Sequence, residues 1–163
     1  MRYSAARQEL ERISWDDFRA PNGSGVAVAE IFRRLFDAEQ EGDVEGCGLE
    51  QQLEVQSMVF EVALPAVGVI LAAFAEEIPA WLEMELLNAL HSVLMGEPHY
   101  SEIENGDEDL VDRCVESARG GLWVMYARLS KRNYDFLLDI LGEVDLDGAR
   151  YEWFRLHCED RWG

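Results

Sequence analysis

The chain has 163 residues, of which 48% are hydrophobic, and its formal net charge at pH 7 is −19. This length suits one domain that buries roughly two-thirds of its unfolded surface, and an aromatic content of 10% argues against a disordered chain. The excess of negative charge disfavours nucleic acid and anionic membrane as partners, because binding phosphates requires Lys and Arg and like charges repel.

Helical patterns begin near the N-terminus. Residues 4–13 are helix formers and charged residues, and Ser24 closes a Gly-rich loop at 20–25 and can cap the following helix. Apolar residues then recur at intervals of three and four, which predicts a helix with one apolar stripe: Val28, Ile31, Phe32, Leu35 and Phe36. The next helix is expected to carry Leu49 and Leu53 inward.

The two most apolar helices are predicted in the centre of the chain. Residues 58–77 form the first, in which Pro65 must kink the helix or start a new one because proline lacks an N–H. Pro79 begins the second helix and Gly96 ends it. The polar residues 97–109 that follow are expected to form a mobile acidic loop.

Four more helices are predicted after this loop, at 108–119, 121–130, 134–142 and 148–160. No segment combines sustained apolar–polar alternation with β-branched enrichment, so no strands are predicted. We therefore predict an all-α fold, a single helical domain over residues 1–163 with about seven or eight helices stacked on one another.

All of the net charge lies in an acidic half at residues 35–112. This half contains nineteen acidic residues and no Lys or Arg, whereas the rest of the chain has fourteen acidic and fourteen basic residues. Soluble domains ordinarily mix both signs to relieve self-repulsion, so a bound basic protein would explain why the repulsion is kept. The alternative for any one acidic run is an ordinary solvated face.

The expected partner-binding residues come from two parts of this acidic half. An exposed Trp81 beside carboxylates would make a good hot spot, with core packing as its alternative. The full set is Glu76, Glu77, Trp81, Glu83, Glu85, Glu102, Glu104, Asp107, Glu108 and Asp109. Reversing the charges of Glu102, Glu104, Asp107 and Asp109 is expected to weaken binding and to leave folding nearly unchanged.

Signatures of catalysis and of metal binding are weak, and we predict no catalytic residues, no metal and no cofactor. The three histidines are scattered, and the HExxH, GxSxG and phosphate-loop patterns are absent. An enzyme would require a pocket that joins Cys114, His157 and a carboxylate. The run Glu143–Gly148 imitates the start of a calcium loop, but Phe154 stands where a bidentate Glu should close it, which favours a capped turn.

The three cysteines, Cys47, Cys114 and Cys158, are far apart and odd in number, which favours reduced, buried thiols. The N-terminus lacks the apolar run of a signal peptide. The longest apolar stretch, residues 62–75, is shorter than the roughly twenty residues of a membrane helix. These observations predict a cytoplasmic protein without a membrane span.

Several short segments in the middle of the chain form a further pattern. Trp15 and a Gly-Ser loop precede the segment Val55-Gln56-Ser57-Met58-Val59-Phe60-Glu61, which is followed by Ala63-Leu64-Pro65-Ala66-Val67 and Leu86-Leu87-x-x-Leu90. The pattern resembles a family of bacterial HEAT-repeat-like proteins, in which His-Gln-Gly and an aromatic residue precede Ala-Val-Pro-Phe-Leu. Cys114 through Gly121-Leu122-x-Val124, with Asp145 later, looks like the next repeat, so the resemblance covers about residues 15–145.

The resemblance implies a HEAT-like α-solenoid without a known catalytic set. Val55 and Ser57 stand where the family has His and Gly, which leaves the role of Gln56 open. Many small helical proteins of this kind resemble immunity proteins of bacterial toxin systems. We therefore hypothesise an immunity protein that neutralises a cognate basic toxin, with the acidic surface facing a nuclease-like active-site cleft. The alternative is a HEAT-like adaptor that joins two proteins and inhibits neither.

Overall fold

The computed structural model describes residues 1–163, and most of them are helical. The α-helices are α1 (Ser4–Arg12), α2 (Val26–Asp37), α3 (Ala63–Phe74), α4 (Ala80–Leu94), α5 (Tyr100–Glu104), α6 (Leu110–Arg119), α7 (Leu122–Ala127), α8 (Tyr134–Val144) and α9 (Gly148–Trp162). Single 3₁₀ turns lie at Trp15–Asp17, Glu41–Val44 and Glu50–Gln52. The predicted helical class is confirmed, with nine helices in place of seven or eight.

Five strands of two residues each interrupt the helices, so the prediction of no strands is wrong. They are β1 (Arg19–Ala20), β2 (Gly23–Ser24), β3 (Glu54–Val55), β4 (Met58–Val59) and β5 (Glu97–Pro98). β1 and β2 form an antiparallel hairpin, while β4 pairs antiparallel with β3 and parallel with β5. A strand of two residues is too short to show alternation, which explains why the sequence pattern missed it.

The centre of the core is the pair α3 and α4, each buried on more than one side. α3 begins at Ala63, and Met58–Val59, predicted to be helical, form β4 instead. Pro65 therefore lies in the first turn of α3, where the missing N–H has no helical partner, and no kink is needed. α1, α4 and α6 pack against α3, and α8 packs against α4.

The end of α4 is held close to β4 by Gly96. A Cβ at this position would lie 2.7 Å from the carbonyl oxygen of Ser57 and 2.8 Å from Cγ2 of Val59. Glycine is thus required here for close approach, and it brings β5 alongside β4 immediately after the helix ends. The predicted end of this helix at Gly96 is correct to within two residues.

Two predicted elements in the acidic half differ from the structure. The helix predicted to carry Leu49 and Leu53 is replaced by 3₁₀ turns and β3, although both leucines are fully buried as expected. Glycines in this stretch, including Gly46 at φ 84°, oppose a continuous helix. Residues 97–109, predicted to be a mobile loop, contain β5 and α5.

The C-terminal third agrees closely with the predicted helices, since α6, α7, α8 and α9 all lie at the expected places. Cys47, Cys114 and Cys158 are buried and unpaired, as predicted. No helix of the structure has the length and apolar character needed to cross a membrane.

The turn between β3 and β4 is conformationally costly. Gln56 and Ser57 have φ angles of 52° and 66°, in the left-handed region that suits a tight hairpin and favours glycine. Ser57→Gly should therefore raise the free energy of unfolding by about 0.5 kcal/mol, measured by urea denaturation.

The same substitution at Ser92, inside α4, serves as the matched control. Ser92→Gly should lower the free energy of unfolding by about 0.5 kcal/mol, because glycine is a poor helix former. Equal losses at both positions would show that the turn is not strained.

Candidate protein-binding surface

The side chain of Arg19, at the start of β1, lies among three carboxylates of the acidic half. Its Nη2 atom is 2.7 Å from an oxygen of each of Glu61, Glu102 and Asp107. The Nε–H also donates to Glu102, whose side chain is fully buried. Arg113 on α6 adds a second cation, 3.3 Å from Asp107. These contacts connect β1, the N-terminal end of α3, α5 and α6.

The three carboxylates could in principle hold a metal ion, because one oxygen of each lies within 4.8 Å of the others. The guanidinium of Arg19 already supplies positive charge to that space, and the hydrogen bonds that it donates to Glu102 raise the pKa of Arg19 above its usual value. An arginine that stays protonated is a permanent counter-ion. The cluster is therefore best described as an ion-pair network that holds the fold.

Other predicted binding residues also have partners within the chain. Glu76 accepts hydrogen bonds from the backbone N–H groups of Ala5 and Ala6 at the start of α1, both at 3.3 Å. Glu83 pairs with Arg128 at 2.8 Å and also accepts from the side chain of Asn133. These interactions fasten α1 and the loop after α7 to the ends of the central helices.

The expectation that reversing Glu102, Glu104, Asp107 and Asp109 would spare folding is wrong for two of the four. A lysine at the buried position 102 would face Arg19, and one at 107 would face both Arg19 and Arg113. Glu104 and Asp109 are exposed, and the only ion pair of the two is the solvent-exposed one between Asp109 and Arg113 at 3.6 Å, so charge reversal there is expected to cost little stability.

Most carboxylates of the acidic half nevertheless remain without a counter-ion. Six of the nineteen acidic residues pair with an arginine from another part of the chain, namely Arg7, Arg19, Arg113 or Arg128. The other thirteen have no cationic side chain within 4.0 Å: Glu39, Glu41, Asp43, Glu45, Glu50, Glu54, Glu76, Glu77, Glu85, Glu97, Glu104, Glu108 and Asp112. The surface of the acidic half therefore keeps a negative potential despite these ion pairs.

Some of these free carboxylates meet at a groove beside the start of α4. The groove has a volume of about 610 Å³ and lies between residues 41–48 and the first turns of α4, where Trp81 and Glu85 line it. Glu41 and Glu45 are exposed on the opposite side. A smaller extension shares Glu41, Trp81 and Glu85 and ends near Arg132. We call Trp81, Glu41, Glu45 and Glu85 the acidic groove.

Trp81 lines the acidic groove without an aromatic or cationic partner within the chain. The indole is half-buried, packed on the core along one edge, and stacks on no other ring or guanidinium of the protein. No buried side-chain nitrogen lacks a hydrogen-bond partner, so the unbonded indole N–H is open to solvent. Glu85 is kept beside it by accepting a hydrogen bond from the backbone N–H of Leu49 at 3.1 Å.

A second acidic surface lies at the other end of α4. On α5, Tyr100 and Ile103 are 64% and 50% exposed, one turn apart, with the exposed Glu104 beside them. α4 is about 22 Å long from its fifteen residues, so the predicted binding residues form two surfaces and not one patch. Sequence reasoning missed Tyr100 and Ile103 because it treated this segment as a loop.

The residues proposed for a cysteine enzyme are not brought together. Cys114 is fully buried on α6, and burial raises the pKa of its thiol to about 12, which keeps it protonated at neutral pH. His157 is exposed on α9 and stacks on Trp153. Asp145, from the calcium-like run, bonds instead with Arg150 and the hydroxyl of Tyr126, and the hydrogen bonds from Arg150 hold its pKa below the usual range.

Comparison with known proteins identifies no relative. No family model matches the chain, and neither a curated protein nor a solved structure is significantly similar to it.

The Arg19 network can be tested through folding. Arg19→Met keeps much of the side-chain volume but leaves Glu102 buried without its counter-ion, so the free energy of unfolding should fall by about 3 kcal/mol. Urea denaturation at pH 7 measures this loss.

Glu104→Gln, on the same helix as Glu102, is the matched control, because Glu104 is exposed and has no ion pair. It should change the free energy of unfolding by less than about 0.5 kcal/mol. A similarly small effect of Arg19→Met would show that the ion-pair network does not stabilise the fold.

Proposed function

We propose that this chain is an immunity protein that binds a basic toxin through the acidic groove and thereby blocks it. The observation that carries the proposal is the combination of an unstacked Trp81 with carboxylates that have no salt bridge, in a groove large enough for side chains of a partner. An acidic face without such an anchor would favour ordinary solvation instead.

The groove has the chemistry to recognise Lys or Arg. A guanidinium or ammonium group placed over the face of Trp81 gains a cation–π interaction, and Glu41, Glu45 and Glu85 supply opposite charge around it. Because Trp81 rests on the core, little side-chain freedom is lost when a partner binds. Aromatic anchors of this kind carry much of the binding energy of protein interfaces.

The surrounding charge supports a role in capturing a partner quickly. Thirteen carboxylates without ion pairs produce a field that draws in a positively charged protein before contact. A toxin that acts on nucleic acid needs a basic cleft to hold phosphate groups. Carboxylates inserted in that cleft would occupy the place of those phosphates, which is the mode of inhibition that we propose.

The HEAT-like stacking of the helices belongs to the same proposal. Its support is the packing of α3 on α4, of α7 on α8 and of α8 on α9, together with the resemblance of residues 15–145 to HEAT-repeat-like proteins. Stacked helices suit this role because they display an extended surface on a rigid core. A cytoplasmic location is proposed with it, since the producing cell must meet the toxin where the toxin acts.

The direct test mixes the protein with the product of the neighbouring gene. A complex, together with rescue of cells that express that product, is the expected result. No complex and no rescue would refute the proposal. Binding without rescue would instead identify an adaptor that joins proteins and inhibits neither.

The anchor role of Trp81 predicts a large effect on affinity. Trp81→Ala should weaken the complex about 100-fold, mainly through faster dissociation, as measured by surface plasmon resonance. Tyr100→Ala, at the other end of α4, should weaken it less than about threefold. Equal effects would show that the groove is not the principal contact.

Removing the rim charges should act chiefly on association. The double variant Glu41→Gln with Glu45→Gln is expected to lower affinity about tenfold, with an effect that shrinks as salt rises from about 50 to 500 mM. Glu77→Gln with Glu108→Gln removes the same charge outside the groove and is the matched control. A tenfold loss from both pairs would mean that total charge, and not the groove, governs binding.

A further inference from the structure

The C-terminal third of the chain exposes aromatic side chains on α7 and α9. Trp123 on α7 and Trp153 on α9 are 61% and 59% exposed. They are joined through Tyr126 and Phe154, whose rings lie 4.2 Å apart, and Trp153 continues the row to His157 at 5.1 Å. Tyr126 is buried and Phe154 is half-buried, so the two exposed tryptophans are linked through rings that pack on the core and are fixed in position by it.

Aliphatic side chains extend this surface. Leu156 lies one turn after Trp153 on the same face of α9 and is 51% exposed, and Leu146 just before the helix is 80% exposed. Cys158 is the one fully buried residue of α9, so much of this helix faces outward. We call Trp123, Trp153, Leu146 and Leu156 the aromatic face.

Several of the charges around this surface are paired within the chain. Arg150 lies over the ring of Trp123 at 5.2 Å and pairs with Asp145, while Arg155 pairs with Glu152 and Glu159. Residues 113–163 contain eight basic and nine acidic residues, but Arg113 and Arg128 pair with carboxylates of the acidic half. This part of the molecule therefore keeps a small negative charge, far below that of residues 35–112.

The charge distribution identifies the occupant of the aromatic face. A basic partner would be drawn to the acidic half, which has thirteen carboxylates without an ion pair, more strongly than to the aromatic face, where Asp160 one turn after Leu156 lacks one. Two copies of this chain repel one another most strongly where their acidic halves meet, and less at the aromatic face. A second copy also provides the same apolar surface, which is what a two-fold interface requires.

We propose that the aromatic face is the interface of a weak, two-fold symmetric homodimer. The four side chains expose on the order of 500 Å² of mostly apolar surface, near the upper end for a patch on a monomer. Two such faces would bury about 1,000 Å², an area typical of weak, transient complexes. This interface uses no residue of the acidic groove and does not depend on the proposed function.

Sedimentation velocity of the purified chain over about 1 to 500 µM tests the proposal, because the dimer population follows mass action. The mass is expected to rise from 18.6 kDa towards twice that value. Added salt should strengthen the association, since it screens the repulsion between the acidic halves while leaving apolar contacts intact. A constant mass of 18.6 kDa at all concentrations would overturn the proposal.

Substitutions then locate the interface. Trp153→Asp and, separately, Leu156→Asp should each raise the dissociation constant at least about 30-fold, as expected for charges placed in an apolar interface. Tyr100→Asp is the matched control, because Tyr100 is equally exposed on α5, and it should leave the dimer unchanged. Thermal unfolding of each variant by circular dichroism checks that the chain still folds.

Three results would contradict a dimer formed through the aromatic face. A dimer that survives both substitutions in folded variants, or one that Tyr100→Asp also disrupts, would overturn this placement. Dissociation by added salt would likewise overturn it, because an interface built on ion pairs would behave in that way.

Discussion

The fold of the acidic half depends on one ion pair, between the partly exposed Arg19 and the fully buried Glu102. A carboxylate removed from water is strongly unfavourable unless a cation and hydrogen bonds replace its hydration, and Arg19 provides both. The same guanidinium holds Glu61 and Asp107, so β1 and the segments around α3, α5 and α6 meet at one charge. Because the side chain of Glu102 is buried against Arg19, Tyr100 and Ile103 lie on other sides of α5 and are exposed to solvent.

The network also separates carboxylates that hold the structure from carboxylates that remain available. Arginines from outside the acidic half pair with Glu83, Glu102 and Asp107, whose loss would disturb packing. The carboxylates around Trp81 have no such partner, and the groove they line is open to solvent. A protein can therefore keep a strongly negative surface and a well-packed core, provided that its few cations are placed where carboxylates are buried.

The helices were predictable from sequence where their apolar periodicity was long and their ends were marked. Pro79 and Gly96 delimit α4 closely, and α8 and α9 lie within a few residues of their predicted bounds. α5 was missed because five residues give little periodicity, and because its buried Glu102 resembles a solvent-exposed acid until Arg19, 83 residues away, is in place. The two-residue strands were missed because backbone pairing, and not side-chain alternation, defines them.

The sequence by itself determined the excess of negative charge, its confinement to residues 35–112, the helical class and the leucines of the core. These properties follow from composition and from spacing along a single segment. Tertiary structure alone decided which carboxylates are neutralised, that Trp81 borders a groove, and that Trp123 and Trp153 share an exposed face. Each of these depends on a partner distant in the chain, and local periodicity carries no information about such partners.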